Sequence, residues 1–363
     1  MNSPGDKRRG KVRELSTLTG SVSGGGQPRR RPTIRDVAAL ARVSVKTVSR
    51  VINREPGVSN ELTARVSAAV EQLNYRHNLS ASSLRRADGK SASIGLVLEY
   101  IANPFDSILH RAIEEFAQRR GVLVLAGSLE EDEARERELI TALASRRVDG
   151  LVIMPASHDH SYLLNERKAG TPMVFVDRPP AFFDADTVLT DNLDGVRRGI
   201  RHLIAHGHRV IGYLGDLQTI TTAALRQRGY REELAAQGIT VDERLMRTNV
   251  HGIERAEAAT TELLLEQPAP TALLAGQNLL TIGAYRALRR MGLHHKVALV
   301  GFDDIPLADL LEPGITVMAQ DPAAMGRIAA ELLFRRIDGD RSPSVHDVIP
   351  TRLITRGSGE IRP

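Results

Sequence analysis

Apolar positions recur at helical spacing twice between Thr33 and Asn53. Ile34, Val37, Ala38 and Ala41 form the first stripe, and Val48, Val51 and Ile52 the second. Thr33 and Ser44 stand where N-caps belong, and Asp36 falls in the acid-favoured first turn. Arg42 occupies the tight turn between them. The far side of the second helix carries Val45, Lys46, Ser49, Arg50 and Asn53. So short and basic a polar face beside a Val-rich core face predicts a helix-turn-helix whose second helix lies in the DNA major groove. A third stripe, Leu62, Val66, Ala69, Val70 and Leu73, follows Ser59 and predicts a helix to about Asn74. Three helices around one tiny core make a domain of marginal intrinsic stability.

The texture changes at Ser93. Short continuous apolar runs then alternate with amphipathic stretches, as strands buried on both faces alternate with helices. The runs fall at Ile94–Leu98, Val122–Leu125, Leu151–Met154, Met173–Val176, Val210–Leu214, Ala272–Leu274 and Val297–Val300. The pattern predicts an α/β body of doubly wound parallel sheets, two of them at this length. The series opening at Ile94 and the one opening at Ile211 echo one another loosely. Ligands of open α/β sheets bind beyond the carboxyl ends of the strands. That rule selects Asn103, Pro104 and Phe105, then Asp177 and Arg178, Asp216, Gln277 and Asn278, and Asp303 and Asp304. Asp177 and Asp303 could equally cap the element that follows each strand.

Charge sharpens this division. Residues 1–90 hold 18 Lys and Arg against 7 Asp and Glu, a balance of +11, whereas residues 91–363 hold 31 against 37, a balance of −6. A basic head on an acidic body is the electrostatic footprint of nucleic-acid binding. Residues 1–31, with glycines at Gly24–Gly26 and arginines at Arg29–Arg31, show no periodicity and are expected to form a disordered basic tail. The absence of cysteine removes disulfide and thiolate chemistry and fits a reducing cytoplasm. No apolar run approaches the roughly 20 residues of a membrane span, and no secretory signal is expected. Between the head and the body, Leu79 to Leu84 is Ser-rich and followed by Arg85 and Arg86. It reads either as a segment that folds on meeting a partner or as an ordinary linker.

The stretches TIRDVAALARVSVKTVSRVIN and VSNELTARVSAAVEQLNYRHNLSASSL resemble the head and hinge of the lac-repressor (LacI/GalR) family of bacterial transcriptional regulators. The body carries further matching motifs in unbroken order to about Arg356, among them RRVDGLVIMP, PMVFVDR, HLIAHGHRVIGYLGD, RQRGY and VALVGFDDIP. The resemblance implies a helix-turn-helix head at 32–76, a hinge helix and linker at 77–92, and an effector-binding and dimerisation body at 93–363. That body would be periplasmic-binding-protein-like. Its first subdomain would span about 93–190 plus 320–343, and its second about 191–319 plus 344–357. A cytoplasmic homodimer would bind double-stranded, pseudo-palindromic operator DNA as a repressor. A small-molecule effector, a sugar or related metabolite, would occupy the cleft, with no cofactor.

Residue by residue, the resemblance places Val45 and Lys46 at the base-reading positions and Thr47, Ser49 and Arg50 at base or phosphate contacts. Lys46 or Arg50 can donate to guanine, and Val45 can meet a thymine methyl. Asn53 and the backbone around Ser59 would position phosphates rather than read sequence, and Thr33 and Ser44 are further DNA-binding candidates. Leu84 matches the leucine that wedges into the minor groove. The matching effector positions are Phe105, Asp177, Arg226, Asn278, Asp303 and Gln320; Arg178 is a further effector candidate, at a place where the family usually offers an aromatic or small residue. Arg42 departs from the family, which places glycine in that turn; a left-handed Arg costs on the order of 1 kcal/mol. The chain has no Trp, so sugar stacking on indole is unavailable. The chain stops soon after Arg356 with no heptad helix, so a dimer is expected.

Two rival classes fit less well. A secreted solute-binding protein would not carry the basic head. An enzyme is disfavoured because the chain shows no Walker loop, no G-x-G-x-x-G after the first strand and no G-x-S-x-G. His202, His206 and His208 suggest metal ligation by spacing alone, but they straddle Gly207 at a helix end, where a C-terminal cap is the simpler expectation. The acidic run Glu130–Glu138 reads as a solvated helix N-terminus.

Overall fold

The head helices form where their caps allow. In the computed structural model, which describes residues 32–53, 55–76 and 90–363, the chain divides into two compact units, one within residues 1–81 and one within 82–363. The first unit holds α1 (Ile34–Ala41), α2 (Val45–Ile52) and α3 (Asn60–Gln72). The Asp36 carboxylate accepts from both the Thr33 amide and the Thr33 hydroxyl at 2.7 Å, closing the start of α1. Ser44 Oγ accepts from the Thr47 amide at 3.0 Å, and Ser59 Oγ from the Leu62 amide at 3.3 Å. Each such cap contributes about 1 kcal/mol. Val37, Ala38, Ala41, Val48, Val66 and Ala69 form the core. Leu84 and the rest of 77–89 lie outside the described residues, as does the tail at 1–31.

Arg42 ends α1 in the left-handed region, at φ 52° and ψ 48°. Its amide donates to Ala39 O and the Val43 amide donates to Ala38 O, the paired bonds of a Schellman motif. Glycine is the usual residue there because it has no Cβ to strain. Arg65 on α3 compensates by donating to Ala41 O at 2.7 Å and Arg42 O at 3.3 Å, satisfying carbonyls that the end of α1 leaves open.

The second unit is built on two six-stranded sheets. The first contains β1 (Ser93–Leu98), β2 (Leu123–Ser128), β3 (Leu151–Ile153), β4 (Met173–Val176), β5 (Asp186–Thr190) and β11 (His346–Ile349), in the order β11-β5-β4-β3-β1-β2, all parallel. The second contains β6 (Ile211–Leu214), β7 (Met246–Arg247), β8 (Ala272–Ala275), β9 (Ala298–Phe302), β10 (Thr316–Ala319) and β12 (Arg352–Ile354), in the order β12-β10-β9-β8-β6-β7. Only β12 runs antiparallel, against β10. Helices bury the apolar faces of both sheets. In the first lobe the helices Pro104–Arg119 and Pro322–Ile337 pack so closely that a Cβ on Gly326 would lie 2.6 Å from Leu109 O.

The chain crosses between lobes near Asp191, Asp321 and Pro350. The last crossing corrects the expected subdomain boundary. Residues 344–357 do not belong wholly to the second lobe, because His346–Ile349 pairs in register with Thr187–Thr190 of β5. Only 352–354 joins the second sheet. Asp191 ties two crossings together, accepting from the Thr351 amide at 2.7 Å and from Arg198 at 2.9 Å.

Substituting Arg42→Gly is expected to stabilise the head by up to about 1 kcal/mol, less the extra freedom glycine brings to the unfolded chain. Thermal unfolding of the full chain followed by circular dichroism measures it, and a lowered head transition would contradict the strain argument.

Candidate functional site

On α2 the capped start and the Val48 anchor decide which side chains face outward. Val48 is fully buried, while Val51 and Ile52 are half-buried against the core. Val45, Lys46 and Asn53 are exposed, and Thr47, Ser49 and Arg50 are half-exposed. Ser44 and Thr47 share a hydroxyl–hydroxyl bond of 2.9 Å, and Asn53 donates to Ser49 Oγ at 3.4 Å. Arg50, expected as a base donor, is held elsewhere. Its Nη2 donates to Pro56 O at 2.8 Å and its Nε pairs with Glu55 at 3.4 Å. In this conformation Arg50 braces the loop after α2, and Lys46 is the cation of α2 that faces outward. Thr33 and Ser59 spend their hydroxyls on helix starts.

In the body, the carboxyl ends of both sheets open onto one cleft, which encloses a free volume of about 40 Å3. Phe105, Asp177, Arg178, Arg226, Asp303 and Gln320 all line it. Asp177 follows β4 and Asp303 follows β9, and both adopt left-handed backbone, at φ 66° and 69°. Each amide extends the sheet ladder by one bond, to Val188 O at 3.0 Å and Met318 O at 2.9 Å. The two lobes thus present a short acidic side chain at the same structural place. A left-handed non-glycine residue is tolerated best when it is Asp or Asn.

Arg226 comes from the helix Thr221–Ala236. Its Nε donates to Asn192 Oδ1 at 2.7 Å and its Nη1 to Gly276 O at 2.8 Å, and its guanidinium carbon sits 3.9 Å from the Phe302 ring centroid. The face of a phenyl ring attracts a cation, so the group is aimed and held on three sides. Asp303 accepts from Gln320 Nε2 at 2.6 Å. Burial pushes the Asp303 carboxyl above the usual carboxylate range, against the pull of Arg226 and Gln320.

Arg178 is turned into its own lobe. It makes two bonds to Glu131, at 2.8 and 2.6 Å, donates to Pro155 O at 3.0 Å and pairs with Asp177 at 3.5 Å. Burial disfavours its charge, but the Glu131 bonds outweigh that and raise its pKa. Glu131 therefore braces a cleft-lining arginine rather than forming part of a solvated helix start. Glu136 in the same run is fully buried and accepts from Tyr162, Ala156 and Ser157. Asn278, expected in the pocket, instead spans the lobes: its Nδ2 donates to Asn103 Oδ1 at 2.7 Å, and its neighbour Gln277 lines the cleft.

Sequence reasoning missed Glu99, Asp106 and His251. Glu99 directly follows β1, so the strand-end rule that found Asp177 could have found it. Burial, then the neighbouring Glu131, pushes Glu99 up to about 7. Asp106 is raised well above its ordinary value, first by burial and then by Glu99. His251 Nδ1 lies 3.0 Å from Asp216, which raises the histidine's pKa. Elsewhere, His202 binds Glu360, His206 Nδ1 donates to His202 O, and His208 is buried between Thr271 and Ile361 O. Among the described residues no cluster of His, Asp or Glu is placed to hold a metal ion, and no helix is long and apolar enough to cross a membrane.

A capped helix-turn-helix and a two-lobed body with a polar cleft in one chain define a DNA-binding transcriptional regulator on a periplasmic-binding-protein-like frame. Residues 33–78 match the model of the lacI family of bacterial regulatory proteins, and residues 200–359 match the periplasmic binding protein-like domain. The ribose operon repressor of Escherichia coli K12 is 32% identical over 329 residues, 90% of this chain and 99% of that protein. The HTH-type transcriptional regulator GalR of the same strain is 32% identical, over 90% of this chain and 95% of its own length. The lac repressor dimer bound to operator and the anti-inducer ONPF superposes with a TM-score of 0.79 at 27% identity, covering 91% of this chain and 99% of that one. The transcriptional regulator CelR in complex with cellobiose gives 0.67 at 32% identity, covering 90% and 100%. The chain belongs to the lacI family.

A carboxyl whose folded pKa is raised opposes folding once the unfolded chain has lost its proton. Glu99 therefore withdraws stability as pH rises from its ordinary 4.5 through about 7. Glu99→Gln is expected to stabilise the fold above pH 7 by an amount on the order of 1–2 kcal/mol after solvent screening, read as a raised melting temperature, and to leave stability unchanged below pH 4.5. Equal gains at both pH values would point to packing instead.

Proposed function

We propose that the protein is a homodimeric repressor whose α2 helices read a pseudo-palindromic operator and whose cleft binds a sugar or related polyhydroxylated effector. The observation that carries this reading is one chain combining an outward Val45–Lys46 pair on a capped recognition helix with an aimed Arg226–Asp303 pair in an interlobe cleft. Val45 and Lys46 contact bases, while Thr33, Ser44, Thr47, Ser49, Asn53 and the Ser59 helix start position phosphates. Arg50 supports the loop after α2 and reaches DNA only by releasing Pro56 and Glu55. Leu84 wedges into the minor groove in each subunit.

In the cleft Arg226 donates to ligand oxygens while Asp177 and Asp303 accept from hydroxyls. Phe105 packs on the ligand frame, and Arg178 and Gln320 orient the two aspartates. The Asn103–Asn278 bond favours the closed arrangement, and the effector biases the balance between open and closed lobes by its unequal affinity for them. The name of the ribose operon repressor and the cellobiose complex of CelR among the relatives support a sugar.

Lys46→Ala is expected to weaken binding to operator fragments selected from a random pool by about 1–3 kcal/mol. A gel-shift titration at fixed salt measures it; unchanged affinity would remove Lys46 from the reading set. Arg226→Ala is expected to abolish the thermal stabilisation given by the best mono- or disaccharide in a screen, a loss of at least about thirtyfold in affinity. An unaltered melting shift would take Arg226 out of the ligand site.

A further inference from the structure

Carboxylates outnumber cations around the cleft. Glu99, Asp106, Asp177, Asp216 and Asp303 line it against Arg178 and Arg226. Both cations have standing obligations: Arg178 to Glu131 and Asp177, Arg226 to Asn192, Gly276 O and the Phe302 ring. Among the aspartates, Asp106 accepts from the Tyr100 amide, Asp216 from His251, and Asp303 from Gln320. The Glu99 carboxylate accepts no hydrogen bond and makes no ion pair among the described residues, although the Glu99 carbonyl accepts from the Glu130 amide at 2.9 Å. Its charged neighbours are Glu131, Asp216 and Asp106 on the acidic side, with Arg178 and His251 on the basic side.

A second acceptor in the cleft is also unmet. Gln320 is 9% exposed, and its Oε1 is buried without a hydrogen-bond partner. The amide cannot be turned to relieve this, because its nitrogen is committed to the Asp303 carboxylate, which accepts and does not donate when ionised. Buried acceptors without donors are costly, and a ligand that donates to them recovers that cost. A phosphorylated or carboxylated ligand would bring more negative charge to a wall that already lacks donors.

We propose that the effector carries an ammonium group on a hydroxylated frame, as an amino sugar or aminated polyol does, with Glu99 receiving the ammonium and Gln320 Oε1 accepting from a hydroxyl. This rests on the reading of the cleft as the effector site. The charge of the ligand replaces the missing cation beside Glu99, and Asp216 and Glu131 add to the field that selects it.

Matched pairs test the assignment on the full-length protein. D-Glucosamine, D-galactosamine and D-mannosamine are compared with D-glucose, D-galactose and D-mannose, and with the phosphate esters of those neutral sugars, by melting shift and calorimetric titration above pH 7. One amine is expected to bind at least about tenfold tighter than its neutral partner. Glu99→Gln is expected to remove that preference while keeping the neutral sugar within about threefold. Asp216→Asn, which should reduce the preference in part, serves if Glu99→Gln does not fold. A neutral sugar or phosphate ester that binds as well as the amine overturns the ammonium assignment and leaves the effector reading standing. An amine preference that survives Glu99→Gln also overturns the assignment. No binding by any member overturns both.

Discussion

The body depends on burying charge where two sheet ends meet. Parallel strands deliver their carboxyl ends, and the polar residues that follow them, to one gap. A guanidinium placed there must be matched by hydrogen bonds or it will not stay charged and ordered. Each lobe solves this internally. Arg178 is matched by Glu131 within the first lobe, and Arg226 is held by Gly276 O, Phe302 and Asn192 on the second-lobe side. Opening the cleft therefore strands no ion pair between these groups. What crosses it is a neutral amide–amide bond between Asn103 and Asn278. Such a bond contributes about 1 kcal/mol and is replaced by water at little cost. An equilibrium balanced that finely is one a ligand can move.

The head is governed by the opposite scarcity, too little core. Six buried side chains hold three helices, so the ends of those helices matter as much as their faces. Each helix start has a side chain closing it, and the one end that breaks the glycine rule, at Arg42, is tied down by Arg65 from α3. The same economy explains Arg50. A long cation beside a short loop gains a carbonyl and a carboxylate within its own domain, and its charge is then shared rather than simply displayed.

The sequence was legible where burial imposes a continuous signal. Strands with apolar residues on both faces, β1, β4, β6, β8 and β9, stand out as runs. β5 and β11 do not, for a physical reason: Asp186 in β5 is buried as the partner of Arg336, and β11 is an edge strand with one exposed side. Its assignment to the wrong lobe follows, because an alternating edge strand near the C-terminus carries no mark of which sheet it joins. In the cleft, Asp177 and Asp303 were found from their place after strands. Glu99 satisfied the same rule and was passed over, since a carboxylate next to a tyrosine and an isoleucine reads as an ordinary loop. Glu131 was hidden within a run of acids whose exposed members give the run its character. Asn278 shows the limit of placing residues by strand ends alone, because an amide at a helix start can face the other lobe as readily as the pocket.

Adjacent residues connect the cleft arginine, Arg226, to the crossings between lobes. Asn192 accepts from Arg226 and donates to Thr190 O at the end of the first sheet, while Asp191 holds Thr351 and Arg198. Any ligand that draws Arg226 toward the cleft pulls on Asn192, whose neighbour Asp191 ties two crossings together. Contiguity of this kind supplies a route, not an energy. The route has content only if Arg226 and Asp191 share a two-state element, and in that case the effects of their substitutions on effector-dependent operator binding would not add. Additive effects would mean that the lobes close through Asp303 after β9 and Gln320 after β10, with the Asp191 crossings following passively. The geometry favours the former, because Asn192 is, among the described residues, the one side chain bonded both to Arg226 and to Thr190, the last residue of the first lobe's β5.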